Sequence, residues 1–194
     1  MRTKLVKNGF TIAECSGCGL IQADIPGNVE SLYESDDYFA DVSTGTTFGV
    51  ELLDKRHEYK IIPLNERTFD LYSLFPGEIR ANGMSGKSIL EIGPSPNGGT
   101  IRYLTALPNV DGLEISRYAA DCLLRLGFNV FCGSIDTVQL DKNYDVILAY
   151  EVVEHLKDPR SAFYNIYKHL APGGVFILST GNARSVKARL RGKK

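Results

Sequence analysis

The sequence predicts an α/β fold in which helices cover both faces of a parallel sheet. Short segments with strand character recur at 88–92, 110–114 and 144–150, the first and the last of them mostly apolar. Segments with helical periodicity separate them, and Gly- or Pro-rich turns lie between these elements. Continuous apolar strands that alternate with amphipathic helices are typical of a doubly wound parallel sheet. The ligand cleft of such a sheet lies at the carboxyl ends of its strands.

The first 45 residues are expected to form a small N-terminal extension. Asn8-Gly9 stands between two short apolar runs, which is the strongest short-range signal for a β-hairpin. Cys15-Ser16-Gly17-Cys18-Gly19 resembles a knuckle-like turn, and a short helical segment is predicted over 28–39.

Residues 46–83 are predicted to form a helical linker or lid. The apolar pattern from Val50 to Phe75 has helical spacing, and Pro63 should break or kink the helix near Ile62 because proline lacks a donor and clashes with the preceding turn.

Residues 84–194 are predicted to form the main domain. Its strands are expected at 88–92, 110–114, 128–132, 144–150 and 174–179, and its helices at 98–107, 116–126 and 158–170.

Bulk composition narrows the class of protein. The chain has 194 residues, 43% of them apolar, and a net charge of −1, so no global field favours nucleic acid as a partner. No 18-residue apolar run and no secretory signal are visible, which gives an expectation of no membrane span and a cytoplasmic location. Four unevenly spaced cysteines suit a reducing compartment, and the basic stretch 184–194 is read as a solvated tail.

The segment from Ser88 to Thr100 is the most informative motif. An apolar strand ends in Glu91-Ile92-Gly93 and delivers a Gly-rich loop to a helical pattern, so that a ligand can approach bare backbone. Glu114 ends the next strand 21 residues after Gly93, where a ribose-binding carboxylate belongs. A phosphate-binding P-loop would need a Lys at Gly99, and a nicotinamide-binding fingerprint would need one more glycine.

The downstream motifs carry a family resemblance. The strand 144–150 runs into Glu151-Val152-Val153-Glu154-His155-Leu156-Lys157-Asp158-Pro159, and Pro172-Gly173-Gly174 precedes the last apolar run. In this order, residues 84–180 resemble the class I S-adenosylmethionine-dependent methyltransferases. The resemblance implies a Rossmann-like sheet, S-adenosyl-L-methionine as cofactor, and a small-molecule acceptor such as a sugar, a glycan or a secondary metabolite.

The resemblance also implies roles for individual residues. Glu91 would hold the amino end of the cofactor, Glu114 the ribose diol, and the residues after the third strand would border the adenine. The implied cofactor-binding set is Glu91, Gly93, Pro94, Ser95, Gly98, Glu114, Ile115, Ser134, Ile135, Asp136 and Tyr150. For Glu114 and Asp136, a helix N-cap is the alternative interpretation.

Glu151 and His155 are the candidate catalytic residues. His155 follows Glu151 by four residues, which on a helix would place both on one face, and a His there could deprotonate or position the acceptor. A purely structural His is the alternative. No metal is required for transfer of a methyl group from a sulfonium.

Three features depart from the family pattern. Ser95 and Asn97 replace loop glycines, so we expect a loop one residue longer with a positive φ at Asn97 or Gly98. Cys15 and Cys18 would be a remnant zinc knuckle, because a structural zinc wants four ligands.

The third departure is that the C-terminal strands usual in the family are expected to be missing. Strand five would then be an exposed edge through which two chains could form a homodimer. A truncated, catalytically impaired domain that binds cofactor or a partner protein is therefore the competing hypothesis, and methylation of nucleic acid is less favoured.

Overall fold

The computed structural model of the chain describes residues 2–7, 10–24, 33, 50–52, 59–61, 86–96, 100–101, 104 and 109–182. Within these residues it has three sheets, of three, five and two strands. No helix in this part of the chain is long and apolar enough to cross a membrane.

The N-terminal sheet confirms the two strands predicted around Asn8-Gly9, although that dipeptide lies outside the described residues. Strand β1 (Arg2–Lys7) pairs antiparallel with β2 (Phe10–Glu14), which pairs antiparallel with β3 (Ile21–Asp24). The turn between β2 and β3 holds the Cys15–Cys18 segment and is closed by a hydrogen bond from Gly19 N to Cys15 O of 2.9 Å. Of the predicted helical segment 28–39, only Tyr33 is described.

The helical prediction for 50–75 is wrong at both segments that the structure describes. Strands β4 (Val50–Leu52) and β5 (Tyr59–Ile61) pair antiparallel, with Val50 opposite Ile61. In a short segment, a few apolar residues do not distinguish a helix from a strand. Here the two segments pair with each other and form strands. The rest of that range lies outside the described residues.

The main sheet has five parallel strands and confirms the doubly wound α/β fold. They are β6 (Ile89–Ile92), β7 (Val110–Glu114), β8 (Asn129–Cys132), β9 (Tyr144–Tyr150) and β10 (Leu170–Ser179). Their spatial order is β10-β9-β6-β7-β8. The chain steps outward from β6 to β8 and then crosses to β9 on the other side of β6. This reversal opens a crevice at the carboxyl ends of β6 and β9.

Burial explains why β6 lies in the centre. All four residues of β6 are buried, as expected for a strand covered on both faces. Its apolar side chains join two clusters, one containing Leu90, Ile92 and Ile147 and the other Ile89, Val146 and Leu148.

Two α-helices among the described residues follow the predicted pattern, each one residue shorter at both ends because of its caps. Helix α1 (Arg117–Arg125) starts after Ser116, whose hydroxyl accepts a hydrogen bond from Ala119 N. Helix α2 (Pro159–His169) starts after Asp158, which accepts from the backbone of Arg160 and Ser161.

Strand β10 begins four residues earlier than predicted. Leu170 pairs with Tyr144, and the register shifts before Val175 pairs with Val146. A Cβ on Gly174 would lie 2.9 Å from the carbonyl oxygens of Ala171 and Tyr144, so only glycine fits this irregularity. In the described sheet β10 lies at the edge, as the sequence predicts for strand five.

Candidate active site

Backbone hydrogen bonds tie the carboxyl ends of the strands to one another. Gly93 N donates to Leu113 O (2.9 Å), which joins the loop after β6 to β7. Gly133 N donates to Glu114 O (2.9 Å), and Glu151 N donates to Ser179 O (3.0 Å). The predicted site residues that follow these strands therefore lie along one fixed edge of the sheet.

Glu91 is a buried carboxylate that organises the loop after β6. It is 3% exposed, and its oxygens accept hydrogen bonds from Thr100 N (2.9 and 2.7 Å) and Ile101 N (2.7 Å). Burial raises its pKa to about 7, against the lowering effect of these two backbone donors. Glu91 thus fixes the point at which the chain re-enters the core after the Gly-rich loop.

Glu114 lies at the end of β7 with backbone donors on both carboxylate oxygens. Ser95 N donates to Oε2 (3.0 Å) and Ser116 N donates to Oε1 (3.1 Å). Burial raises the pKa of this carboxyl. Since each oxygen can accept a second hydrogen bond, the group can still receive the two hydroxyls of a diol. The N-cap alternative for Glu114 is wrong, because Ser116 caps α1.

Two of the described residues of the Gly-rich loop have a positive φ. Gly93 has φ 70°, and a Cβ there would lie 2.8 Å from Val152 Cγ2, so the backbone runs bare at this point. Ser95 has φ 60°, which aims its N–H at Glu114. Pro94 is buried between them. The residues expected to take the positive φ, Asn97 and Gly98, lie outside the described part of the chain.

The segment between β8 and β9 contains the residues predicted to border the adenine. Ser134 O accepts from Thr137 N (3.1 Å) and Val138 N (2.8 Å), and Asp136 N donates to Ser134 Oγ (3.3 Å). Ile135 is buried in the core. The segment forms a turn and no helix starts from it, so the N-cap interpretation of Asp136 is wrong.

Tyr150 and Glu151 end β9, as predicted. Tyr150 is half-buried, and burial, with the charge of Glu91 adding to it, raises its pKa above the usual range for a tyrosine. Glu151 has φ 52°, a conformation that residues other than glycine hold only where their surroundings impose it. Its Oε1 accepts from Ser179 Oγ (2.9 Å) on β10, which holds the carboxylate in place.

The expectation that Glu151 and His155 share a helical face is wrong. Glu151 lies outside any helix, and only a short 3₁₀ helix, Val153–His155, follows it. His155 is exposed, and the ring of Tyr33 stands edge-on to its imidazole with centroids 6.3 Å apart. The N-terminal extension therefore contributes an aromatic side chain next to His155, one of the two candidate catalytic residues.

Cys15 and Cys18 lie together in the turn between β2 and β3. Backbone N–H groups of Cys18 and Gly17 hold the pKa of the Cys15 thiol below its usual range. Among the described residues no group of three or more His, Cys, Asp or Glu side chains could hold a metal ion. Cys122, on α1, is buried.

Several groups that position carboxylates at this edge of the sheet are not predicted from the sequence. These are the backbone N–H groups of Thr100, Ile101 and Ser116, together with the Ser179 and Thr180 hydroxyls at the end of β10. The signal for the last two was present, because an apolar strand followed by two hydroxyl residues places them at the same sheet edge as Glu151.

Comparison with known proteins agrees with this geometry. Residues 64–194 match the family described as Methyltransferase domain. The Ubiquinone biosynthesis O-methyltransferase of Rickettsia prowazekii is 32% identical over 119 residues, covering 57% of this chain and 46% of that protein. The mitochondrial enzyme of the same name from Schizosaccharomyces pombe is 29% identical over 118 residues, which cover 56% of this chain and 43% of that protein. The chain thus spans about half the length of these curated relatives.

Two solved structures share the fold. One is an S-adenosylmethionine-dependent methyltransferase from Clostridium acetobutylicum (TM-score 0.52, 15% identity), which matches 66% of this chain and 55% of its own. The other is CalS10, an amino pentose methyltransferase from Micromonospora echinaspora (TM-score 0.52, 19% identity). The match covers 82% of this chain and 58% of the CalS10 chain. Because the family match includes more than half of the residues, the chain belongs to the methyltransferase-domain family.

Proposed function

We propose that the chain is the cofactor-binding part of an S-adenosylmethionine-dependent methyltransferase that acts on a small-molecule acceptor. The observation that carries the proposal is Glu114, a buried carboxylate at the carboxyl end of β7 whose two oxygens are oriented by Ser95 N and Ser116 N. It lies beside the bare backbone of Gly93 at the switch point of the sheet.

The residues present suit this cofactor. Glu114 offers two acceptors to a ribose diol, and the position of Gly93 could not hold a side chain without a clash. In its ionised form, Glu91 supplies negative charge near the loop, which favours a ligand that carries an ammonium group. When bound, the sulfonium would supply an activated methyl group, so the protein mainly has to align the acceptor and exclude water.

We assign the binding site of the methyl acceptor to the carboxyl end of β9. Tyr150 and Glu151 would border the methyl-donating end, and His155 would position the acceptor or take its proton. The curated relatives are named for methylation of oxygen in ubiquinone biosynthesis, which supports a small acceptor with a hydroxyl group. A sugar, a glycan or a secondary metabolite remains within this class, and a homodimer through β10 stays a prediction.

Calorimetric titration of S-adenosylmethionine and S-adenosylhomocysteine into the purified chain tests the proposal. Glu114→Gln should weaken both ligands by about tenfold or more, because it removes one or two hydrogen bonds to a charged acceptor. Asp121→Asn, which makes the same chemical change on the exposed face of α1, should bind like the unmodified chain.

A folded chain that binds neither ligand would overturn the proposed function. Equal binding by Glu114→Gln, with thermal unfolding showing that the variant is folded, would overturn the role of Glu114. Binding without turnover, once acceptors are screened, would favour the competing binding-module hypothesis.

A further inference from the structure

The segment 134–140 is held by side chains of α2. Asn165 Nδ2 donates to Ile135 O and Val138 O, both at 2.7 Å. Leu140 N donates to His169 Nε2 at 3.0 Å. Two side chains one turn apart on α2 thus bind three backbone groups of the segment that contains Ser134 and Asp136.

Asn165 and His169 are both 4% exposed, and they lie on the buried face of α2 beside Ala162 and Ile166. An apolar pair could fill this space, but it would leave the backbone groups of the segment without these partners. The apolar side chain of Ile135 anchors the segment to the core, whereas the two polar side chains fix its backbone in one register.

The hydrogen bonds also specify the state of His169. Nε2 accepts from Leu140 N, so it carries no proton, and Nδ1 must donate to Asn165 O at 2.8 Å. A second proton on Nε2 would face the N–H of Leu140 and break that bond. Only the neutral imidazole with its proton on Nδ1 fits the arrangement.

We propose that Asn165 and His169 are positioning residues for the adenine end of the cofactor, and that protonation of His169 releases the segment 134–140 that they hold. The inference rests on the proposed function for its ligand. Neither side chain is assigned a contact with the cofactor, since both act through Ser134, Ile135 and Asp136.

The elements around His169 carry several titratable or charged groups. They are Asp136, Asp141 and Lys142 between β8 and β9, Tyr144 and Asp145 on β9, and Arg160 and Lys168 on α2 itself. Strand β10 carries no charged residue. The buried carboxyls Glu91 and Glu114 also titrate when pH falls, so the wild-type pH profile alone does not isolate His169.

The test therefore compares variants at two pH values. In His169→Gln the amide oxygen can accept from Leu140 N and the amide nitrogen can donate to Asn165 O, but the group does not titrate. We expect its affinity for S-adenosylhomocysteine to lie within about threefold of wild type at pH 8 and to fall less than wild type at pH 5.5. His169→Phe should lose about tenfold at both pH values.

A second ligand separates positioning of the adenine from general damage to the site. 5′-Methylthioadenosine lacks the amino-acid end, so His169→Phe should weaken it by the same factor as S-adenosylhomocysteine. Loss confined to S-adenosylhomocysteine would overturn the proposal, as would equal pH profiles for wild type and His169→Gln.

Amide exchange measured by NMR gives a readout without ligand. After correction for the pH dependence of the intrinsic exchange rate, the Leu140 amide of the wild type should be more strongly protected at pH 8 than at pH 5.5. In His169→Gln its protection should be intermediate and the same at both pH values. Wild-type chain that binds neither ligand overturns the proposed function. Wild-type chain that binds, with His169→Phe binding equally well, overturns only the positioning role.

Discussion

At the scale of single residues, the site depends on backbone conformations that side chains disfavour. Gly93 and Ser95 both have a positive φ, and Glu151 has φ 52° at the end of β9. Residues other than glycine hold such conformations at a cost of about 1–3 kcal/mol, and they persist where neighbouring groups impose them. For Ser95 that group is the Glu114 carboxylate, and for Glu151 it is Ser179.

Glu91 makes the stability of the fold depend on pH. Burial raises its pKa from 4.5 to about 7, so the folded state binds a proton more readily than the unfolded chain does. Stability should therefore fall as pH rises from about 4.5 to about 7 and stay level above, by about 3 kcal/mol in total from this group. Glu91→Gln should lack this part of the decline.

Urea unfolding at pH 5, 6, 7 and 8 measures the effect as the difference between wild type and Glu91→Gln. As pH rises, the unfolding free energy of the wild type should decrease relative to that of Glu91→Gln. A constant difference in stability caused by the substitution does not alter this trend. Parallel curves would show that the two backbone donors, Thr100 N and Ile101 N, compensate fully for burial of the charge.

At the scale of elements, hydroxyl groups at the end of β10 hold the turn that follows β9. Ser179 Oγ donates to Glu151 and Thr180 Oγ1 donates to Glu154 Oε2, both at 2.9 Å. Burial raises the pKa of Glu151, and the Ser179 hydroxyl acts in the opposite direction by stabilising the carboxylate.

Ser179→Ala should therefore raise the pKa of Glu151 further, while Ser179→Thr should preserve it because the hydroxyl remains. Because Glu151 is exposed and Ser179 is only half-buried, we expect unfolding free energies to change by less than about 0.5 kcal/mol. Carboxyl carbon shifts followed by NMR during a pH titration would report the change. An unchanged titration in Ser179→Ala would show that this hydrogen bond does not persist in solution.

Sequence patterns predicted the strands better than the contacts between elements. The bounds of β7 and β9 agree with the sequence prediction to the residue: β9 is a mostly apolar run, and β7 ends in Glu114 just before a helical pattern begins. The start of β10 was missed because Leu170 pairs with Tyr144 across a register shift, which no local pattern encodes.

The same limit applies to the candidate site. Glu91 and Glu114 could be predicted from strand ends and spacing, but their partners could not, since those depend on loop conformation. The helical placement of Glu151 and His155 failed because i, i+4 spacing puts residues together only inside a helix, and Glu151 precedes it. The bonds from Asn165 to Ile135 and Val138 join residues about 30 positions apart, beyond any sequence periodicity.

At the scale of the whole molecule, a cluster that stabilises the fold and the candidate ligand site lie at opposite ends of the parallel strands. Asp111, near the start of β7, is 3% exposed and accepts from Tyr144 Oη (2.9 Å), which begins β9. It also accepts from Asn129 Nδ2, at the start of β8, and pairs with Lys142 Nζ (2.5 Å). One buried carboxylate thus ties three strands together at their amino ends, away from Glu91 and Glu114.

Substitutions in this cluster should lower stability without changing ligand affinity. Tyr144→Phe removes one hydrogen bond to a buried charge and should cost about 1–3 kcal/mol of unfolding free energy. Asp111→Ala leaves three donors unpaired and should cost about 3–5 kcal/mol. Tyr164→Phe, which removes a hydroxyl from an exposed tyrosine on α2, should change neither quantity.

Urea unfolding combined with calorimetric binding of S-adenosylhomocysteine distinguishes the two edges. The dissociation constant of Tyr144→Phe should stay within about twofold of wild type, because the core strands β6 and β9 pair along four residues between the cluster and the crevice. A loss of affinity in proportion to the loss of stability would mean that the amino and carboxyl edges move as one cooperative unit. The separation of roles between the two edges would then fail, although the fold and the positions of the carboxylates would stand.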